Sequence, residues 1–351
     1  MEPARSPVPT RASPYSSLLT PLSSLLPLPR RPSDDQPGLF PEDAPPKPLL
    51  QQPKCEELAA KLPDVLRLGT SSWTFPGWKG LVYDQARPCG EAALARDGLE
   101  QYARSPLLRT VGLDRAFYRP MTVEQCRALG GQSGSDFRFL VKAYRGLTHR
   151  AYAEPAFLDA AYARDLVIAP LVEGFGGSLG TLLFQFPEMG LSARDGDEFL
   201  NSLDRFLAAL PSGVPYSVEL RDRVLLSPRT ATMLMHHGIA FGHALHPSMP
   251  SLAEQTRLLG PSIDAIAAPA VLRWLLRREH SYEGAKTLYE PFDRLLEPDS
   301  ASRDGAVAWC LAQAFRGRET FVIANNKAEG SSPLTLLELA KAIVASMGTA
   351  S

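Results

Sequence analysis

Apolar positions along the chain form short, often β-branched runs that alternate with longer stretches of helical periodicity from Val65 onward. This alternation predicts a parallel sheet covered by helices. Eight runs have the length of a strand, and they span residues 65–70, 108–113, 137–143, 179–184, 214–219, 238–243, 270–274 and 320–324. A helical pattern follows each run, so the chain reads as eight β/α units.

Each predicted strand ends in side chains capable of chemistry. In chain order they are Ser71 and Trp73, Asp114, Lys142, Gln185, Glu219 and Arg221, His243, Arg273, then Asn325 and Asn326. An open doubly wound sheet shows the same alternation but would scatter these groups along an edge. A closed barrel brings all eight ends to one mouth. The polar strand ends therefore favour a (β/α)8 TIM-like barrel.

The first 63 residues differ in composition from the rest of the chain. They contain 15 of the 32 prolines and show almost no helical or strand periodicity. Such a segment cannot bury enough apolar surface to fold by itself. We therefore predict a disordered, Pro-rich tail over residues 1–63 and a single barrel domain over 64–351, since TIM barrels commonly take about 250 residues.

Composition narrows the class of protein further. Lys and Arg total 37 against 38 Asp and Glu, so the net charge of -1 gives no general attraction for polyanions. No apolar stretch reaches the roughly 20 residues of a membrane-spanning helix. The four cysteines show no paired or zinc-like spacing. These features predict a protein with reduced thiols in the cytoplasm, without membrane anchoring.

The predicted tail contains the pentapeptide Gln36-Pro37-Gly38-Leu39-Phe40. It resembles the short Gln-x-x-Leu-Phe peptide that partners of the bacterial sliding clamp insert into a pocket of the clamp. Leu39 and Phe40 would be apolar anchors on a flexible tether. A chance occurrence in a Pro/Leu-rich segment is the competing interpretation, because short motifs match often by accident.

Several ordered blocks at the strand ends resemble the YecE-like family, a domain of unknown function also numbered 72. The blocks are 69–73 (Gly-Thr-Ser-Ser-Trp), 137–143 (Phe-Arg-Phe-Leu-Val-Lys-Ala), 183–187 (Leu-Phe-Gln-Phe-Pro), 218–221 (Val-Glu-Leu-Arg) and the pair Asn325-Asn326. The resemblance spans nearly the whole predicted barrel. It implies a TIM-barrel-like fold and no particular reaction.

The second strand departs from the family pattern. The family's Val-Glu-x-Asn appears here as Val111-Gly112-Leu113-Asp114, so Gly112 stands where relatives carry a glutamate. If that carboxylate is catalytic in relatives, either Asp114 substitutes for it or the activity is altered in this chain.

The strand-end groups predict anion binding and proton transfer. Glu219 and Arg221 lie two apart on one strand and point to the same side, so Glu219 could act as a general base or order the rim through a salt bridge. Lys142 needs a carboxylate partner, an anionic ligand or a depressed pKa, and His149 is a candidate proton shuttle. Asp114 is a further candidate catalytic carboxylate.

Candidate substrate-binding residues surround these catalytic candidates. They are Arg221, Arg273, Asn325, Asn326, Gln185, Ser71, Trp73 and Tyr118. Ser332 and Pro333 open the last helix as a predicted N-cap and first helical residue, and the helix-start amides there could receive a phosphate. Capping alone also explains this Ser-Pro pair.

A metal centre is the less favoured alternative. Asp114, His149, Glu219, His243 and His246 could supply ligands to a divalent cation, but no HxH, HxxxH or paired-carboxylate motif is present. Lys142 and Arg221 would repel a cation. We therefore predict no cofactor.

Two functions follow from these residues. The first is an enzyme, a hydrolase, isomerase or lyase, acting on a small phosphorylated or otherwise anionic substrate at the barrel mouth. The second is a non-catalytic or nucleic-acid-processing barrel that the tail peptide attaches to the sliding clamp.

Overall fold

The computed structural model describes residues 46–150 and 156–349. Within these ranges eight parallel strands close into a barrel in chain order. The strands are β1 (Leu66–Thr70), β2 (Leu108–Leu113), β3 (Arg138–Lys142), β4 (Leu179–Phe186), β5 (Tyr216–Leu220), β6 (Ala240–Leu245), β7 (Ala270–Trp274) and β8 (Thr320–Ala324). Strand β8 pairs with β1 and closes the sheet. The predicted (β/α)8 fold is confirmed.

Helices connect successive strands and precede the first one. They are α1 (Pro53–Ala59), α2 (Glu91–Ala103), α3 (Arg115–Tyr118), α4 (Val123–Gly130), α5 (Arg145–Thr148), α6 (Ala160–Tyr162), α7 (Ala169–Phe175), α8 (Ala193–Ala208), α9 (Pro228–His236), α10 (Leu252–Leu259), α11 (Tyr282–Tyr289), α12 (Ser300–Phe315) and α13 (Ser332–Thr349). A π-helical stretch, Ala163–Ile168, joins α6 to α7. Short 3₁₀ turns lie at Leu49–Gln51, Pro76–Trp78, Gly176–Ser178, Arg223–Leu225 and Pro261–Ala265.

The observed strands agree with the predicted ones to within two residues at each end. The difference that matters most for the site is at β6, which begins at Ala240 instead of residue 238. Gly238 ends helix α9 with a φ of 65°, and its amide and that of Ile239 bond back to the carbonyls of Met235 and Leu234. This is a Schellman motif, so the turn occupies two residues that the apolar pattern assigned to the strand.

Alternate side chains of the strands fill the barrel. Leu140, Leu183, Val271, Phe321 and Ile323 form an apolar cluster of their own, distinct from the larger core formed with the surrounding helices. The interior is therefore a packed plug, as is usual for this fold. It separates the two ends of the barrel.

An ion-pair network closes the amino end of the barrel. Arg67 on β1 is almost fully buried, and its guanidinium contacts Glu319 at 2.5 Å and Asp136 at 3.1 Å. Arg109 contacts the same Asp136 at 2.7 Å. Each nitrogen of the Arg67 guanidinium thus has a carboxylate or carbonyl acceptor, as the cost of burying charge requires. The charged groups at the amino end therefore have a structural role. The predicted site residues lie at the other end of the barrel, the mouth formed by the carboxyl ends of the strands.

Residues 46–63 are ordered, although the sequence assigned them to the tail. Leu50 is fully buried, its amide donates to the Leu81 carbonyl, and its own carbonyl accepts from Ser105 Oγ. Cys55 on α1 is also buried. Periodicity appears only over Glu56 to Leu62, at the end of this Pro-rich segment, which explains why the sequence extended the tail to residue 63. The remainder of the predicted tail, residues 1–45, lies outside the described residues, as does the peptide Gln36, Leu39 and Phe40.

No helix among the described residues is both long and apolar enough to cross a membrane.

Candidate functional site

Glu219 on β5 is the centre of the charged groups at the barrel mouth. Its carboxylate is fully buried and accepts from Arg221 Nε at 2.9 Å and from Arg273 Nη1 at 2.9 Å. Burial opposes ionisation of Glu219, but Arg273 and Arg221 outweigh this effect and lower its pKa to about 2. A carboxylate held in this way is a weak base. It fixes the positions of two guanidinium groups.

A glycine lets Arg273 on β7 reach Glu219 on β5 across the intervening strand. Gly242 on β6 faces the barrel interior, where an added Cβ would lie 3.3 Å from Glu219 Cβ and 3.2 Å from Leu183 Cδ1. Any side chain at this position would crowd the carboxylate. The absence of a side chain thus makes room for an ion pair between two strands that are not neighbours.

Arg221 also contacts His246, which follows β6. Arg221 Nη1 lies 3.2 Å from His246 Nε2. Because a guanidinium only donates, Nε2 accepts in this contact. Nδ1 lies 2.9 Å from Ser248 Oγ and 3.2 Å from the Ser248 amide nitrogen. Burial and the charge of Arg221 lower the pKa of His246 to about 4. His246 is therefore neutral at pH 7.

Lys142, the last residue of β3, has no carboxylate within ion-pair distance among the described residues. Its Nζ lies 3.6 Å from the ring centroid of Phe117, a cation–π contact. Burial and the charge of Arg273 lower the pKa of Lys142 to about 8, although Asp114 and Glu219 partly oppose this shift. The mouth therefore holds an ammonium group that titrates close to neutral pH.

His149, which follows α5, lies beside this lysine. Its ring makes an edge contact with Phe117 at 5.0 Å between centroids, and Nδ1 is 2.9 Å from Thr148 Oγ1. Burial and the charge of Lys142 lower the pKa of His149 to about 4. The predicted proton shuttle thus stands near Lys142 as a neutral imidazole.

Asp114 contributes a second carboxylate to the mouth. Its side chain is 44% exposed, and Oδ1 lies 3.9 Å from Arg273 Nη2. Gly112, the position at which the family resemblance leads us to expect a glutamate, also faces the interior, and a Cβ there would come within 3.2 Å of Ser71 Cα and 3.3 Å of Ile323 Cγ2. The position is too tight for a larger side chain in this chain without local movement, so Asp114 is the carboxylate that β2 offers.

Three further predicted residues lie at the same end. Asn325 Nδ2 donates to Ser71 Oγ at 2.8 Å. Gln185 on β4 is buried and stands in register with Glu219. Ser71 and Asp114 line a cavity of about 330 Å³ at the β1–β2 side of the mouth.

Other predicted site residues have structural surroundings. Trp73 is buried, and its Nε1 donates to the Leu94 carbonyl at 2.9 Å. Asn326 is buried, and its Oδ1 accepts from the amide and hydroxyl of Ser332, both at 2.8 Å. The first amide of α13 is thus already bonded, and Ser332 is the first helical residue and not the N-cap. Tyr118 is 65% exposed and carries Arg145 over its ring at 5.9 Å.

His243 does not reach the mouth. It lies inside β6, and its ring packs against Phe241 and against Trp309 of α12, at 5.1 and 5.3 Å between centroids. The later start of β6 changes which residue follows the strand. His246 occupies the position that the sequence assigned to His243.

Within 46–150 and 156–349 no group of three or more His, Cys, Asp or Glu side chains is placed to share an ion. The most buried carboxylate, Glu219, is already bonded to two arginines.

Several residues near the mouth were not identified from the sequence. Gly242 lies in β6, and Tyr282 and Phe292 lie in the long connection between Trp274 and α12, which contains α11. The length of this connection was the available signal, since long connections at the carboxyl end of a barrel commonly carry function.

The fold and its polar mouth define a (β/α)8 barrel with a charged site at the carboxyl ends of its strands. The family model described as "Protein of unknown function DUF72" matches residues 67–350. The chain belongs to this family.

Solved structures of the family are similar in fold. A DUF72 family protein from Thermotoga maritima MSB8 aligns with a TM-score of 0.52 and 22% identity, covering 79% of this chain and 98% of that one. A DUF72 family protein from Enterococcus faecalis V583 aligns with a TM-score of 0.51 and 16% identity, covering 79% and 95%. At these identities the likeness concerns the fold alone. No curated protein matches the chain.

Proposed function

We propose that the protein is an enzyme that acts on a small phosphorylated or otherwise anionic substrate at the barrel mouth. The observation that carries the proposal is the Lys142 ammonium, which has no described carboxylate partner and stands near two arginines, the buried Arg273 and the partly buried Arg221. Three cations, Lys142, Arg221 and Arg273, face two carboxylates, Glu219 and Asp114. An anionic ligand would compensate the surplus charge.

The roles differ from those that the sequence suggested. Glu219, with its pKa lowered to about 2, holds Arg221 and Arg273 in place and does not serve as the base. Lys142, with its pKa near 8, is the better proton carrier because general acid–base catalysis is most effective when the pKa lies near the working pH. His149 relays protons to it, and Asp114 is the more exposed carboxylate at the mouth.

Hydrolysis, isomerisation and elimination all need a proton carrier beside a substrate whose negative charge is held in place. At the mouth, Lys142 supports the first of these functions, and Arg221 and Arg273 support the second. The proposal is therefore for one of these reaction types. A cytoplasmic location belongs to the same proposal and is supported by the free thiols of Cys55, Cys89, Cys126 and Cys310.

Anion binding should depend on pH through Lys142. Its ammonium is charged below its pKa of about 8 and neutral above it. The affinity for sulfate, which keeps its charge at every pH used, should therefore be constant near pH 7 and fall by up to about tenfold per unit above pH 8. Isothermal titration calorimetry at constant ionic strength measures this profile.

The same assay with a panel of phosphorylated and carboxylated metabolites would then seek the substrate. Chloride at matched ionic strength is the control. An affinity for sulfate that stays unchanged from pH 7 to pH 9.5 would argue against Lys142 as the anion-binding group, and a panel without any ligand would count against the enzyme proposal.

Attachment to the sliding clamp remains a separate proposal, supported by the sequence Gln36-Pro37-Gly38-Leu39-Phe40. We expect immobilised full-length protein to retain purified bacterial sliding clamp. Replacement of both Leu39 and Phe40 by alanine should abolish retention, because these two side chains would supply the apolar anchors. Replacement of Leu25 and Leu26, in the same Pro-rich segment, is the matched control. Equal retention by all three proteins, or none by the wild type, would exclude the tether.

A further inference from the structure

A cleft beside the mouth lies between the loop after β1 and the loop after β7. Its volume is about 470 Å³, within the range of small-molecule pockets. Its lining includes Phe75, Pro76, Tyr282, Pro291, Phe292 and Lys327. It does not include Lys142, Glu219, Arg221 or Arg273, so it is distinct from the charged centre described above.

A glycine brings the two loops together at the cleft. Gly77 packs directly on the backbone of Pro291, where an added Cβ would lie only 1.8 Å from the Pro291 carbonyl oxygen. Phe75 and Phe292 meet edge to face at 5.5 Å between centroids. Behind Phe75, the ring of the fully buried Trp78 lies at 4.9 Å. One wall of the cleft is therefore aromatic and fixed by the core.

Lys327 supplies the cationic group of the cleft. The residue is only 5% exposed, and no carboxylate among the described residues lies within ion-pair distance of its ammonium. Its Nζ stands 4.0 Å from the ring centroid of Tyr282 and 5.8 Å from that of Phe292. Burial, and the charge of Lys286 next, lower the pKa of Lys327. A buried ammonium without a counter-ion is costly, and an anion in the cleft would remove that cost.

The other charges of the cleft belong to its rim. Glu91, Lys286 and Glu290 are all exposed, and Lys286 pairs with Glu290 at 4.0 Å. Exposed charges are screened by water and contribute little to binding. The interior of the cleft thus presents one cation to a ligand.

Tyr282 offers the surface on which a ring could stack. It begins helix α11 and is 58% exposed, while its ring already covers the Lys327 ammonium. Aromatic faces bind planar groups through offset stacking. A planar ring on Tyr282 and Phe75 would bring a substituent close to Lys327.

We propose that this cleft binds a planar aromatic ring that carries an acidic group, and that the acidic group pairs with Lys327. An aromatic carboxylate and an aryl phosphate share this chemistry. The site does not depend on the proposed reaction at the mouth, because the two sets of residues are different.

Matched small ligands separate the two parts of the proposal. Benzoate has the ring and the charge, benzamide has the ring alone, and cyclohexanecarboxylate has the charge alone. Ligand-observed NMR should give a Kd in the millimolar range for benzoate, as expected for a ligand of this size. Benzamide and cyclohexanecarboxylate should each bind about tenfold more weakly. Phenyl phosphate distinguishes the two acidic groups. If it binds more tightly than benzoate, the ligand is an aryl phosphate, and if it binds more weakly, the ligand is an aromatic carboxylate.

Variants locate the binding in the cleft. Lys327→Met should reduce benzoate affinity about tenfold, to the level of benzamide, and leave benzamide unchanged. Tyr282→Leu should weaken the binding of benzoate and of benzamide to the same extent. Because Tyr282 is exposed, this variant tests the proposal even if Lys327→Met fails to fold. Lys286→Met at the rim is the control and should bind benzoate as the wild type does, whereas Lys142→Met tests whether benzoate binds at the barrel mouth instead.

Three outcomes would overturn the proposal. The first is equal binding of benzoate, benzamide and cyclohexanecarboxylate, or no binding of any. The second is unchanged benzoate affinity in both Lys327→Met and Tyr282→Leu. The third is loss of benzoate binding in Lys142→Met with retention in Lys327→Met, which would assign the ligand to the barrel mouth.

Discussion

Glu219→Gln should lower the free energy of unfolding by about 3–5 kcal/mol, because it leaves the buried guanidinium of Arg273 and the partly buried one of Arg221 without their counter-ion. Glu219 is fully buried and bonded to Arg221 and Arg273, each at 2.9 Å. Urea denaturation measures the change. Glu254→Gln is a matched control, since Glu254 also pairs with two arginines, Arg257 and Arg223, but is only partly buried and both arginines are exposed. Its urea midpoint should stay close to that of the wild type.

A double variant distinguishes the loss of charge compensation from a general packing defect. Glu219→Gln combined with Arg273→Met removes the buried carboxylate and its most buried partner together. The double variant should be more stable than the sum of the two single losses predicts, by roughly 0.5–3 kcal/mol, as is usual for interacting residues. Strict additivity, or a Glu219→Gln protein as stable as the wild type, would contradict a central role for this ion pair.

The lowered pKa of Glu219 also determines the direction in which the free energy of unfolding changes at acidic pH. Its pKa is lowered to about 2 in the folded protein, while an unfolded chain has a value near 4.3. The unfolded state therefore binds more protons between these two values, so the contribution of Glu219 is complete above about pH 4.3 and is lost as pH falls toward 2. The Glu219→Gln protein should therefore not show this loss of stability at acidic pH.

Lys142→Met should weaken sulfate binding at pH 7 by at least about tenfold while leaving the fold as stable as the wild type or more stable. The side chain is partly buried and its ammonium has no carboxylate partner among the described residues, so its removal relieves a desolvation cost. Methionine retains the contact with Phe117. Calorimetric titration and urea denaturation measure the two effects, and Lys54→Met on the exposed face of α1 is the control.

Lys142→Met is expected to weaken sulfate binding without lowering the stability of the fold. Together these two effects distinguish a ligand-binding role of Lys142 from a structural one. A residue that costs stability but binds a ligand is typical of functional sites. Because the folded protein holds Lys142 with a lowered pKa, unfolding takes up a proton between about pH 8 and 10.4, and wild-type stability should gain with rising pH there relative to Lys142→Met. A destabilised Lys142→Met protein with wild-type sulfate affinity would assign Lys142 to the structure alone.

Strand positions could be predicted from the sequence because they depend on local patterns. The bounds of β2, β7 and β8 agree with the predicted ones at both ends. Each of these strands is an apolar run flanked by turn residues, and nothing outside the run is needed to recognise it. The prediction failed by two residues at β6, where Gly238 has a positive φ and belongs to the end of α9. A glycine after a helical pattern was the available signal.

The charged residues of the mouth were also predicted, but the ion pairs that they form with one another were not. Lys142, Glu219, Arg221 and Arg273 all stand near the carboxyl ends of their strands, as their places in the sequence indicated. Their pairing depends on the size of the residue between them, since Arg273 reaches Glu219 past Gly242. That pairing turned the predicted base into a carboxylate held by two arginines and left Lys142 as the group without a carboxylate partner.

The sequence alone determined the barrel, the order of its strands and the end at which its polar groups collect. These features follow from periods of two and 3.6 residues and from the parallel direction of the strands, all of which are local or follow from simple topology. The tertiary structure alone decided which charges compensate one another and which cation stands beneath Tyr282. Those outcomes depend on distances and burial among residues far apart in the chain, as for Glu219 and Arg273, which are 54 positions apart.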